Sequence, residues 1–243
     1  MPKKDLSIIM PVLLHHRYLL NMTLASIRNI KFFTHPYNVE IIVVHNRSDL
    51  FDQALQEWLD KDDIYIANEK NERLGKCFNQ GIAQASSDYI CVMANDILVH
   101  QNWFPPLKQV LDDGVLDFVG PYHRRHWGDY EEQSKNPDIV SSILGTSFTE
   151  LSNCFVFKKK SYEIVGEFDE NIYVFCDRDY QIRIGEKDLK PGMSLESYVT
   201  HLGSMTWLNR HEQLENEKFF GWNFWEKEDE DNTYFLKKWG HKT

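Results

Sequence analysis

LSIIMPVLLHHRYLLNMTLASIRNIKFFTHPYNVEIIVVH, Leu6 to His45, decides the fold. Its two ends, LSIIMPVLL (Leu6–Leu14) and VEIIVVH (Val39–His45), are continuous apolar runs. Runs of this length and type fit strands buried on both faces, as in a parallel sheet. Between them Leu20, Leu24, Ile27 and Ile30 recur at helical spacing, and THPYN (Thr34–Asn38) breaks the pattern. Strand, helix and strand in that order make a βαβ unit.

The alternation continues. LFDQALQEWLD reads as a helix, IYIAN as a short strand, GKCFNQGIAQA as a helix and DYICVMA as a strand. The class is therefore α/β: a doubly wound layer with a mostly parallel central sheet flanked by helices. Farther on the pattern loosens. NWFPPLKQVLDD reads as a helix, DFVGPYH and SNCFVFKK as strands, and KSYEIVG as a short helix. Residues 123–149 have no clear period and read as a long loop, while the Trp-, Phe- and Glu-rich tail from Leu208 reads as a helix packed on the sheet. With no repeat or low-complexity linker, all 243 residues form one domain.

Composition removes several functions. Lys and Arg number 27 against 37 Asp and Glu, a formal charge of −10, which opposes nonspecific binding to nucleic acid. The same charge fits an anionic substrate only if a cation or a local basic cluster offsets it. The four cysteines are scattered without a C-x-x-C spacing, so reduced buried thiols in a cytosolic protein are expected. The apolar N-terminal run is broken by Pro11 and followed by HHR, unlike a signal peptide, and no segment reaches membrane-spanning length. A soluble, cytoplasmic protein without a membrane span is the expectation.

Ligands of open α/β sheets bind beyond the C-terminal strand ends. Here those ends are Pro11–Leu14, His45–Ser48, Asn68–Arg73 and Ala94–Asp96. No G-x-G-x-x-G follows the first strand and no P-loop pattern occurs anywhere. VMANDILVH (Val92–His100) has two readings when taken alone: a strand-ending turn favoured by Asn and Asp, or a metal or phosphate site.

Motif order weighs those readings. LSIIMPVLLHHRYLLNMTLASI, VEIIVVHNRSD, NERLGKCFNQGIAQASSDYICVMANDI and VGEFDENIYVFCDRDYQIRI together resemble the family 2 glycosyltransferases of the GT-A fold, from about Leu6 to His201. The resemblance implies a GT-A domain with a nucleotide-binding half (1–100), an acceptor and catalytic half (101–207) and a helical tail (208–243). It also implies transfer of a sugar from a nucleotide-diphosphate donor to an acceptor hydroxyl, with inversion and a divalent metal, Mn²⁺ or Mg²⁺. The family's D-x-D falls on Ala94-Asn95-Asp96, with Asp96 as metal ligand, Asn95 beside the donor and Ala94 unable to coordinate.

FCDRDYQIRI resembles the family's E-D-x-D-L-x-x-R. Asp177 takes the general base, Asp179 and Arg183 the supporting positions, and Cys176 replaces the usual Glu. An inverting transfer needs a base to take the acceptor hydroxyl proton as the new bond forms. GEFDE matches G-G-F-D-E, with Glu167 for the second Gly. YVTHLGSMTW resembles the strand ending in H-x-G-x-S, which implies that His201 is a second metal or diphosphate ligand, with Gly203 and Ser204 nearby. A hydrogen-bonded structural histidine is the other reading of His201.

For the donor, Pro11, Val12 and Leu13 match the loop that contacts the nucleotide base, and His45 or Asn46 stands where relatives carry an Asp. Arg73 matches a base or diphosphate contact, or is a surface arginine. Asn79 and Gly81 read as packing residues. A UDP-sugar is favoured, with GDP- or dTDP-sugars open, and the acceptor is a glycan or another hydroxyl compound. The loop carrying YHRRHWGDY, with Trp127 and Tyr130, lies where relatives bind acceptors. Ala94, His45 and Cys176 also suit a nucleotide-sugar-binding protein without catalysis. A retaining transferase or a nucleotidyltransferase on the same fold is a third reading.

Overall fold

The computed structural model describes residues 3–47, 51–125, 143–145, 153–173, 175–202 and 224–240. Its strands are β1 (Leu6–Val12), β2 (Val39–His45), β3 (Ile64–Ala67), β4 (Tyr89–Met93), β5 (Ile97–Val99), β6 (Phe118–Arg125), β7 (Ile143–Gly145), β8 (Cys154–Lys158) and β9 (Pro191–His201). Its helices are α1 (Arg17–Thr34), α2 (Asp52–Gln56), α3 (Leu74–Gln84), α4 (Phe104–Asp112), α5 (Lys159–Val165), α6 (Cys176–Glu186) and α7 (Phe224–Trp239).

One sheet runs in the order β3-β2-β1-β4-β8-β6-β9-β5, with β7 added on β9. β3, β2, β1 and β4 are mutually parallel, so the βαβ reading of the first half holds. β8 then joins antiparallel to both β4 and β6. That strand turns the doubly wound half into a curled mixed sheet.

Alternation along each buried strand explains the two cores. In β1, Leu6, Ile8, Met10 and Val12 enter the cluster with α1 and α4, while Ile9 enters the cluster with α3, α5, α6 and α7. α1 buries Leu19, Leu20, Thr23, Ser26, Ile27, Ile30 and Thr34; of the four residues whose spacing announced the helix, Leu20, Ile27 and Ile30 are buried and Leu24 is half-buried. All four cysteines are buried free thiols, as expected.

The differences from the sequence reading lie in short elements. α2 covers Asp52–Gln56 rather than the longer LFDQALQEWLD. β5 and β7 have three residues each, too few for a periodicity to show. β7 falls in the stretch read as a long loop; residues 126–142 and 146–152, Trp127 and Tyr130 included, lie outside the described residues. The tail does form a helix, although 203–223 lies outside the description as well.

Gly81 shows how closely α3 lies on the sheet. A β-carbon there would overlap Ile9 Cγ2 and press on Val44 Cγ2 at 3.4 Å. Ile9 is fully buried and β-branched, so it has little room to yield. Gly81→Ala is expected to destabilise by about 1–3 kcal/mol despite its better helix propensity, read as a lower urea midpoint. An unchanged or raised midpoint would show that the α3–β1 contact relaxes freely.

Candidate functional site

The site is built where the strands end. β1 stops at Val12, whose carbonyl accepts the backbone N–H of Asn46 at 2.7 Å, so β1 and β2 stay paired one residue past the ladder. Pro11 and Leu13 are half-buried there and Val12 is buried. The Asn46 side chain then fastens the loop after β3. Its Nδ2 donates to Asn71 Oδ1 and to the Glu72 carbonyl, both at 2.7 Å, and its Oδ1 accepts Glu72 N–H at 2.7 Å. Beneath it Asn68 and Gln80 exchange amide hydrogen bonds at 3.0 and 2.9 Å.

His45 is fully buried and holds its Nδ1 2.8 Å from the Tyr65 hydroxyl, which in turn donates to Asp52. Burial, with Asp52 beside it, pushes the Tyr65 hydroxyl well above its ordinary value. At the position expected to meet the nucleotide base, His45 thus faces into the protein and Asn46 ties loops together. Arg73 is similarly engaged. Its guanidinium donates to the Glu170 carbonyl at 2.9 Å and to Tyr173 Oη at 2.6 Å, and lies over the Tyr173 ring at 4.0 Å.

Ala94-Asn95-Asp96 follows β4. Ala94 N–H donates to the Asn153 carbonyl at 2.8 Å. Asn95 turns inward, its Nδ2 donating to Thr23 Oγ1 on α1 at 2.8 Å. Asp96 is placed by the β5–β9 pairing, which sets Ile97 opposite His201 and lets Leu202 N–H donate to the Asp96 carbonyl at 3.0 Å. His201 Nε2 consequently lies 3.2 Å from Asp96 Oδ1. Two residues far apart in the sequence, each singled out as a metal ligand, meet through a three-residue strand that the sequence reading did not include. Gly203 and Ser204 lie outside the described residues.

A carboxylate oxygen and an imidazole nitrogen side by side are a donor pair that a divalent cation accepts, Mn²⁺ more readily than Mg²⁺. Among the described residues no group of three or more His, Cys, Asp or Glu could hold a metal. Further ligands would have to be phosphate oxygens and water, the usual arrangement for Mg²⁺-type sites on nucleotide substrates.

The other expected cluster begins α6, where three neighbouring acids or thiols have three environments. Cys176 is fully buried in the apolar cluster, and burial, with Asp177 and Asp231 near, pushes its thiol far up. It is a packing residue. Asp179 is fully buried and accepts from Arg183 Nε at 2.9 Å, Lys238 Nζ at 2.7 Å and Trp239 Nε1 at 3.0 Å. Asp177 is half-buried, its Oδ1 accepting Arg178 N–H at 2.9 Å, and desolvation raises its pKa against the pull of that bond and of Arg178. Environments that separate neighbouring carboxyls in this way mark one as an acid–base candidate and the other as structural.

The GEFDE segment before α6 is anchored from several elements. Asn79 Nδ2 donates to the Phe168 carbonyl and to Glu170 Oε1, both at 3.0 Å, and Arg183 donates to the Glu167 carbonyl at 2.7 Å. Asp169 accepts from Tyr234 Oη and Lys238 Nζ, both at 2.7 Å. Burial alone would raise the Asp169 carboxyl, but Lys238, Asn171 N–H and Tyr234 outweigh it and hold the group at about 2. Sequence reasoning missed this role of α7. The tail read as a helix packed on the sheet, with its Trp and Tyr as core or interface anchors and no role given to Asp231 or Lys238.

The model of the family described as Glycosyl transferase family 2 matches residues 7–182. No curated protein matches the chain. A solved structure described as GalNAc-T7 with UDP, GalNAc and Mn²⁺ is similar in fold, with a TM-score of 0.63 at 12% identity. The match covers 82% of this chain and 44% of that one, so this chain spans under half the length of its structural neighbour. The neighbour places the mixed sheet and its flanking helices in the GT-A fold.

Proposed function

This chain belongs to glycosyl transferase family 2, and from that premise we propose that it transfers a sugar from a nucleoside-diphosphate donor to an acceptor hydroxyl, with inversion at the sugar carbon. The observation that carries the reading is the meeting of His201 Nε2 with Asp96 Oδ1 at 3.2 Å, at the C-terminal edge where the parallel strands end. Asp96 and His201 would hold a divalent metal, Mn²⁺ or Mg²⁺, whose charge offsets that of the leaving diphosphate. Such a cation also reconciles a −10 protein with an anionic donor.

Asp177 takes the acceptor proton. Desolvation raises its pKa, which strengthens it as a base relative to an exposed carboxylate. Asn46, with Asn71 and Glu72, shapes the rim on which the nucleotide base would lie, and Pro11, Val12 and Leu13 line the other side by backbone. UDP is the favoured nucleotide, supported by a neighbour solved with UDP and Mn²⁺. Ala94, His45 and Cys176 support the second reading, a nucleotide-sugar-binding protein without catalysis, which UDP binding without sugar transfer would favour.

Calorimetric titration with UDP in the presence and absence of Mn²⁺ tests the site. UDP is expected to bind in a Mn²⁺-dependent manner, with chelator reversing it, and Asp96→Asn should weaken the Mn²⁺-dependent binding by about tenfold or more. UDP affinity indifferent to both Mn²⁺ and Asp96→Asn would refute the metal assignment.

A further inference from the structure

Helix α6 carries Asp177 in its first turn but has no side-chain cap of its own, because the preceding residue is Phe175. Helix N-termini leave backbone N–H groups without partners, and Ser, Thr, Asp or Asn normally meets them. Asp177 Oδ1 meets Arg178 N–H within the turn, and for the backbone just before it an acceptor arrives from a different helix. The Asp231 side chain on α7 is 1% exposed; its Oδ1 accepts Tyr173 N–H at 3.0 Å and its Oδ2 accepts Phe175 N–H at 3.2 Å. Both carboxylate oxygens hold the backbone that leads into α6, and Asp177 follows two residues later. A carboxylate at that end also complements the helix dipole.

Tyr173 is gripped twice, since Arg73 at the start of α3 holds its hydroxyl and ring while Asp231 holds its amide. The segment therefore ties the start of α3, the start of α6 and the tail helix into one frame. Docking of α7 by itself has an apolar anchor in fully buried Phe235. A carboxylate buried at 231 adds directional bonds to one short stretch of backbone.

We propose that Asp231 is a positioning residue for the transfer reaction, fixing the backbone that enters α6 so that Asp177 meets the acceptor hydroxyl. The inference rests on the reading of Asp177 as the base given above. A shift of about 1 Å in a reacting group costs on the order of a hundredfold in rate, so loss of two bonds at this point is felt in turnover.

The test compares wild type, Asp177→Asn, Asp231→Ala and Asp231→Asn in the full chain. UDP release is followed from UDP-glucose and UDP-N-acetylgalactosamine with Mn²⁺ and a pool of mono- and disaccharide acceptors. Asp231→Ala should lower kcat by about tenfold to a hundredfold while leaving the donor KM within about twofold. Asp231→Asn keeps one acceptor oxygen and should recover part of the loss. Amide hydrogen exchange at Tyr173 and Phe175 should accelerate in Asp231→Ala and less in Asp231→Asn. Unchanged kcat in Asp231→Ala, or a loss carried by KM alone, overturns the proposal. If Asp231→Ala does not fold, wild-type kcat in Asp231→Asn overturns it instead. Turnover of Asp177→Asn at the wild-type rate would overturn the functional reading and this proposal with it; an inert Asp177→Asn beside a fully active Asp231→Ala overturns this proposal alone.

Discussion

Asp177→Asn is expected to lower transfer by about 10²–10⁴-fold while raising the melting temperature at neutral pH. The two effects come from one environment. Desolvation raises the Asp177 pKa above its ordinary 3.8. A group raised on folding contributes stability that is fully present below its unfolded pKa and is lost as pH rises through its folded pKa. The charged carboxylate is thus disfavoured by its surroundings, and an amide of the same shape relieves the cost. The advantage of Asp177→Asn should be largest at neutral pH and vanish below about pH 4, where both side chains are neutral. UDP binding should persist, since the donor-side groups are on other elements. Melting temperatures across pH, together with UDP release, check the pair of effects. A variant that turns over normally removes Asp177 as the base; one that is inactive and less stable at neutral pH shows a structural role instead.

The legible part of the molecule was the part written in long apolar periods. β1, α1 and β2 follow from Leu6–His45 because each buries a full face, and α3 and β4 follow in the same way. The identity of Asp96 and His201 as partners was also legible, through motif order. Their contact was not, because it depends on three residues of β5 pairing with a strand whose partner lies a hundred positions away. Arg73, Asn46 and His45 mark the other limit. The resemblance implied donor contacts for them; in the structure each also bonds within the protein, His45 to Tyr65 of β3 and Asn46 and Arg73 to neighbouring loops, and no spacing rule encodes which partner a polar side chain finds. α7 was read as aromatic packing, whereas its Asp231, Tyr234, Lys238 and Trp239 bind polar groups around α6.

Asp179→Ala is expected to be the most destabilising of the site substitutions, by about 3–5 kcal/mol, the cost of removing one partner from a buried charged network. Asp179 is wholly buried, and its loss strands Arg183 Nε and the Trp239 indole N–H and leaves Lys238 Nζ with Asp169 alone. Lys238 alone is less critical. It is the more exposed partner and is also held by Asp169, so Lys238→Met should cost only about 1 kcal/mol. The pair share a bond, so the double variant should fall short of the sum by about 0.5–3 kcal/mol. Acid should mimic part of the loss. Asp169 is depressed on folding, so its contribution is present above its unfolded value near 3.8 and disappears as pH falls toward about 2. Urea unfolding of the four proteins at pH 7 and at pH 3 measures all of these terms. Additive costs at pH 7 would show that the Lys238–Asp179 pair does not join α7 to α6; a coupling of the expected size makes that pair a bond between the tail helix and the helix bearing Asp177.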